Sequence, residues 1–113
     1  MVASWRFDHL GPQQGCIDIL MSYEPRVLVL NARGLNDRAR RSSVRRLVGT
    51  TSASIVCIQQ TNLSVVTLSI VMETLDAEFD GYFCLPAIGR TGGIIIAWVG
   101  MMVRLENAYV NVN

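Results

Sequence analysis

Between Arg26 and Trp98 the chain alternates short apolar runs with polar, helix-like stretches. Val27, Leu28, Val29 and Leu30 form a continuous apolar run, the pattern of a strand covered on both faces, and the run stops at the amide Asn31. Beyond Gly34 the period changes. Asn36 or Asp37 is placed to cap a helix in which Val44, Leu47 and Val48 share one side and which Gly49 ends. Residues 54–58 predict a second strand, which runs into Gln59 and Gln60. Thr61 or Ser64 then caps a second helix reaching about Ala77, with Val65, Leu68, Met72 and Leu75 at core spacing. From Gly81 the pattern returns to strands over 82–86, 93–98 and 102–106, joined by turns, and residues 107–113 begin another. The first 22 residues have no clean periodicity and contain Gly11-Pro12 and Gly15, so residues 1–24 read as an unstructured leader.

Strand, helix, strand with polar side chains at the strand ends is a βαβ unit, and it places the chain in the α/β (α+β) class. In open α/β sheets ligands gather at the carboxyl ends of the strands, so Asn31 and Gln60 are expected at one edge where a metal or phosphate would sit.

Composition narrows the rest. A chain of 113 residues, half of them apolar, is one domain in size and is able to bury a core. With a formal charge of +1 it has no global field that draws it to nucleic acid or membrane. All ten basic residues are arginine, and six of them (Arg33, Arg38, Arg40, Arg41, Arg45 and Arg46) fall in one short segment. Arg38, Arg41 and Arg45 follow i, i+3, i+7 spacing, either a phosphate-contacting stripe or a solvated helix face. Glu73, Asp76 and Glu78 crowd the far end of the second helix, where acids oppose the dipole; they read as solvated rather than as a metal cluster.

Cys16, Cys57 and Cys84 have no C-x-x-C spacing, which points away from a zinc ribbon or a disulfide framework and toward a reduced compartment. Cys57 and Cys84 sit in apolar runs as small hydrophobes. His9, the sole histidine, cannot build a metal site alone. The turn Gly89 to Gly93 lacks the Lys-Ser/Thr end of a phosphate-binding loop and reads as a hairpin connection. No apolar stretch reaches the roughly 18 residues of a membrane span. No basic flank or cleavage site marks a signal peptide. An intracellular protein, nuclear or cytoplasmic and without a membrane partner, is expected.

The two strand ends, Asn31 followed by Arg33-Gly34-Leu35 and then Gln59-Gln60-Thr61, resemble the first two signature blocks of the endonuclease/exonuclease/phosphatase superfamily. The resemblance is closest to the endonuclease domain of plant LINE-type retrotransposons. The Gly pair before the apolar run ending at Trp98 is similar to that family too. The resemblance implies that residues 25–113 are the N-terminal portion of a four-layer α/β/β/α sandwich, incomplete. It further implies an ancestral Mg²⁺-dependent phosphodiesterase with Asn31 and Gln60 at metal-site positions. Gln60 stands where the family carries a metal-ligating Glu, and a hard cation wants anionic oxygen, so tight Mg²⁺ binding is not expected here.

The family's Tyr, Asp-x-Asn and Asp-His blocks do not occur in this stretch. Tyr109 precedes Asn-Val-Asn instead, so it is not assigned the family's catalytic tyrosine role. The expectation is a truncated, catalytically inactive endonuclease fragment. The alternative is a small nucleic-acid- or partner-binding remnant that holds DNA weakly through Arg33, Arg38, Arg41 and Arg45. Half of a two-sheet sandwich would also leave Val27, Val29, Ile94 and Ile96 uncovered, which predicts aggregation or self-association.

Overall fold

A computed structural model of the chain describes residues 26–100, apart from Arg90, together with the backbone of three further strands. Those three are β1 (Val2–Arg6), β2 (Gln13–Met21) and, at the other end of the chain, β7 (Val103–Val112). Between them lie β3 (Val27–Asn31), α1 (Arg38–Gly49), β4 (Ile55–Gln59), α2 (Leu68–Thr74), β5 (Gly81–Leu85) and β6 (Ile94–Trp98). The α/β class is as the sequence implied: a four-stranded mixed sheet in the order β3-β4-β6-β5, with two helices packed on it. β3 and β4 run parallel, joined through α1. β6 is antiparallel to both β4 and β5.

The region read as an unstructured leader instead carries β1 and β2. β2 pairs antiparallel with β1 and with β7, in a separate three-stranded sheet of order β1-β2-β7. The register with β7 shifts at Asp18/Ile19, so strand pairing continues through an irregularity that obscures any simple alternation. His9, Gly11-Pro12 and the side chains of Cys16 and Tyr109 lie outside the described residues.

One face of the four-stranded sheet carries the main core. Cross-strand neighbours Val56 and Ala97, and Ile58 and Ile95, are fully buried under Val44 and Val48 of α1 and Val71 of α2. Leu35 and Leu63 from the loops close the ends of this layer. Central strands buried on both faces explain the unbroken apolar run of β4, since Ile55 and Cys57 on the second face are buried as well.

The edge strand departs from that pattern. β3 alternates, with Leu28 and Leu30 packed against the core and Val27 and Val29 43% and 53% exposed. Its apolar run therefore does not signal two covered faces. Ile94 and Ile96 are completely buried, so the bare sheet face expected from these four residues is confined to the β3 edge.

α1 starts where expected, with the Asp37 carboxylate accepting from the Ala39 N–H, and Thr50 closes it one residue beyond Gly49. Leu47 is half exposed, however, because only Val44 and Val48 face the sheet. α2 is shorter than predicted. Thr67 caps it through its hydroxyl, and the helix stops after Thr74. Of the stripe Val65, Leu68, Met72 and Leu75, the first three are exposed and Leu75 alone is buried, joined in the core by Val71 and Thr74. The reason is the preceding segment: Thr61 is fully buried and the Leu63 carbonyl accepts from the Ala87 N–H, so the chain is committed to loop contacts until Thr67 and the helix phase is set from there.

β5 and β6 form the expected hairpin around Gly89 to Gly93, with an isolated bridge between Ile88 and Thr91. Among the described residues, no helix is long and apolar enough to cross a membrane.

Burial also sets the chemistry of two thiols. Cys57 and Cys84 are both free, and desolvation pushes each from 9.0 up to about 11. A two-unit rise makes the reactive thiolate roughly a hundredfold scarcer at pH 8 than in the unfolded chain. In a Cys16→Ser background, alkylation by iodoacetamide at pH 8 should therefore be slow in buffer and fast in urea. Equal rates would mean that these thiols are not buried. Because the folded state holds its thiol protons more tightly, the thiols favour folding below pH 9 and that contribution is lost as pH rises from 9 towards 11.

Candidate functional site

The carboxyl ends of β3 and β4 form one edge, and the parallel register places Asn31 directly beside Gln59. Both side chains lie on the second face of the sheet, with Val27, Val29, Ile55 and Cys57, because residues two apart along a strand share a face. Gln60, one residue further, has left the ladder. Its backbone is left-handed at φ 54°, and its side chain is exposed. The two positions singled out from sequence thus reach the same edge, but Asn31 has Gln59 as its strand partner. Gln59 could have been found by counting alternation to the last residue of the strand.

This edge concentrates unusual backbone. Arg33, Gln60 and Asn62 all take left-handed conformations, at φ 53°, 54° and 56°, which side chains other than glycine adopt at a cost of roughly 1–3 kcal/mol each. Three loops laced together hold them there. Gly34 and Leu35 donate to the carbonyls of Gln60 and Thr61 at 2.8 Å. Thr61 and Asn62 in turn donate to the carbonyls of Gly93 and Gly92 at 3.2 and 2.8 Å. The Asn36 side-chain amide donates to the Asn62 carbonyl at 3.1 Å. Asn31 is occupied locally, its Oδ1 accepting from the Arg33 N–H at 3.0 Å.

The donor set does not suit a magnesium ion. Asn31, Gln59 and Gln60 offer only neutral amide oxygens, that of Asn31 is already hydrogen-bonded, and the exposed Arg33 two residues beyond β3 adds a positive charge. Mg²⁺ gives up water reluctantly and relies on carboxylates to compensate. The nearest candidates by sequence are committed elsewhere: Asp37 caps α1, and Glu73 and Asp76 pair with arginines. Among the described residues, no group of three His, Cys, Asp or Glu side chains is gathered as a metal site.

The arginine stripe divides into three environments. Arg41 is nearly buried, with its side chain 14% exposed, donating from Nε to Glu73 at 2.7 Å and from a terminal nitrogen to the Leu35 carbonyl at 2.6 Å. Arg45 pairs with Asp76 at 3.0 Å and donates to the Met72 carbonyl at 2.6 Å. Both therefore tie α1 to α2, with Arg41 largely withdrawn from solvent and Arg45 still 45% exposed. Glu73 and Asp76, read from sequence as solvated acids, are their partners. Arg38 stays 80% exposed with a loose 3.7 Å contact to Glu73, and Arg33 is exposed at the strand ends.

No protein-family model matches the chain, and no curated protein matches it.

Proposed function

We propose that this chain carries the leading strands and helices of an endonuclease/exonuclease/phosphatase-type domain of retrotransposon origin, in a form that does not hydrolyse phosphodiesters. The observation that carries the reading is the parallel β3/β4 pair, which sets Asn31 beside Gln59 and Gln60 at the carboxyl ends of the strands, where such a domain would place its metal-binding groups. Hydrolysis of this kind needs a metal to polarise the phosphoryl oxygen and a base to ready water. The amides at this edge supply neither. Weak DNA contact falls to Arg33 and Arg38, whose charges face solvent, and the exposed Val27 and Val29 favour self-association along β3. Free thiols at Cys57 and Cys84 suit an intracellular setting.

The test is incubation of purified protein with supercoiled plasmid and Mg²⁺ or Mn²⁺. No nicking above buffer is expected from the native chain, nor from Gln60→Glu, because restoring one carboxylate leaves the water-activating and leaving-group contacts unmade. Nicking that follows the protein through successive purification steps would overturn the proposal.

A further inference from the structure

A second recess lies away from the strand ends. α2, the turn that follows it and the start of β5 enclose a half-open cleft of about 280 Å³. Its wall is apolar, built from Leu68, Val71, Met72, Leu75, Phe79 and Tyr82. Three of these, Leu68, Met72 and Tyr82, are 59%, 60% and 41% exposed, although large apolar side chains gain by burial. The charged groups lining the cleft are Arg45, Asp76 and Asp80. Arg45 is neutralised by Asp76 at 3.0 Å, which leaves Asp80 as the excess charge. The Asp80 carboxylate is held in place, because its Oδ1 accepts from the Gly100 N–H at 2.6 Å, while the residue as a whole stays exposed.

We propose that this cleft binds a small amphiphilic cation: an aromatic or branched aliphatic amine whose apolar body lies on Leu68, Met72 and Phe79 and whose ammonium faces Asp80. Three features set this class. The volume lies just under the roughly 300 Å³ at which sites for drug-sized ligands begin, so the ligand is compact. The apolar wall contributes most of the binding and does not discriminate charge. Discrimination comes from Asp80, with the aromatic rings of Tyr82 and Phe79 in the same lining, a residue type that attracts cations. An anion of the same shape would meet the surplus carboxylate. Nothing in this proposal depends on the phosphodiesterase resemblance, because the cleft uses neither Asn31 nor Gln60.

The test uses three probes of one shape, phenethylammonium, 2-phenylethanol and phenylacetate, titrated into the full chain and followed by protein-observed NMR. Phenethylammonium is expected to bind best and phenylacetate worst, with shifts centred on Leu68, Met72 and Tyr82. Asp80→Asn should weaken the amine about two- to fivefold and leave the alcohol unchanged, the size expected of one exposed charge pair. This variant retains an oxygen acceptor for the Gly100 N–H, and an unchanged melting temperature would establish that it is folded. Met72→Lys, which places a cation in the apolar wall, should abolish amine binding. Equal binding of amine and carboxylate would overturn the proposal, as would shifts outside the cleft. A concentration-dependent dimer that Met72→Lys dissociates, with no amine binding, would also overturn it by making a second copy of the chain the occupant.

Discussion

Gly93→Ala should lower the stability of this protein by about 2–4 kcal/mol, a large share of the roughly 5–15 kcal/mol that holds a domain of this size together. Two costs combine. Gly93 has φ 88°, a conformation in which a Cβ is strained whatever space surrounds it. A Cβ there would also overlap Thr61 Oγ1 and stand 3.2 Å from the Ala87 nitrogen. Neither neighbour yields easily. Thr61 is fully buried with its hydroxyl accepting from Leu63, and the Ala87 N–H is bonded to the Leu63 carbonyl at 2.7 Å. The change would therefore pull apart the loops that hold Gln60 and Asn62 left-handed. Urea unfolding of Gly93→Ala, Thr61→Ala and the double variant separates the two costs. Removing the Thr61 hydroxyl should recover the overlap but not the dihedral strain, giving a coupling of about 1 kcal/mol or more. A Gly93→Ala protein as stable as the parent would mean that the strand-end loops are not locked together.

Much of this architecture was legible in the sequence because period and punctuation agree. β3, α1, β4 and the β5/β6 hairpin each combine an apolar pattern with a cap or turn residue, and Asp37 caps α1 as its side chain suggests. α2 was legible only as a helix. Its phase is set by tertiary contacts of Thr61 and Leu63 that local pattern does not encode, so Val65, Leu68 and Met72 of the expected stripe are exposed and only Leu75 is buried. β2 is hard to read locally because its partner β7 lies some ninety residues away and their pairing contains a register shift, and β1 in turn pairs with β2. At the strand ends, the βαβ reading brings Asn31 and Gln60 to one edge but does not pick out Gln59, the strand partner of Asn31, and the left-handed backbone of Arg33 and Gln60 is not legible either, since neither residue type favours it. The cleft beside α2 is invisible in sequence for the same reason as the helix phase that creates it.

Arg41→Ala is expected to cost about 2 kcal/mol of stability, whereas Arg38→Ala should change it by less than about 0.5 kcal/mol. The two residues sit three apart on one helix and look equivalent in sequence. Their surroundings differ. Arg41 bridges α1, α2 and the loop after β3, with one donor on Glu73 at 2.7 Å and another on the Leu35 carbonyl at 2.6 Å, and only 14% of its side chain is exposed. Truncating it strands a carbonyl and a half-buried carboxylate together, and leaving such partners unpaired costs more than the pairing itself contributes. Arg38 is 80% exposed and 3.7 Å from the same carboxylate, a contact that solvent screening reduces to little. Arg41→Lys should fall between them, because one ammonium cannot reach both acceptors with the geometry of the guanidinium fork. Chemical denaturation of the three variants measures this order directly. DNA retention at low salt supplies the contrast: losing Arg38 should weaken any retention, and losing Arg41 should destabilise the fold without changing the salt dependence of what remains bound. Equal stability losses at both positions, or a salt slope that falls with Arg41 alone, would return Arg41 to a phosphate-contacting face and sink the reading of it as a strut between the helices.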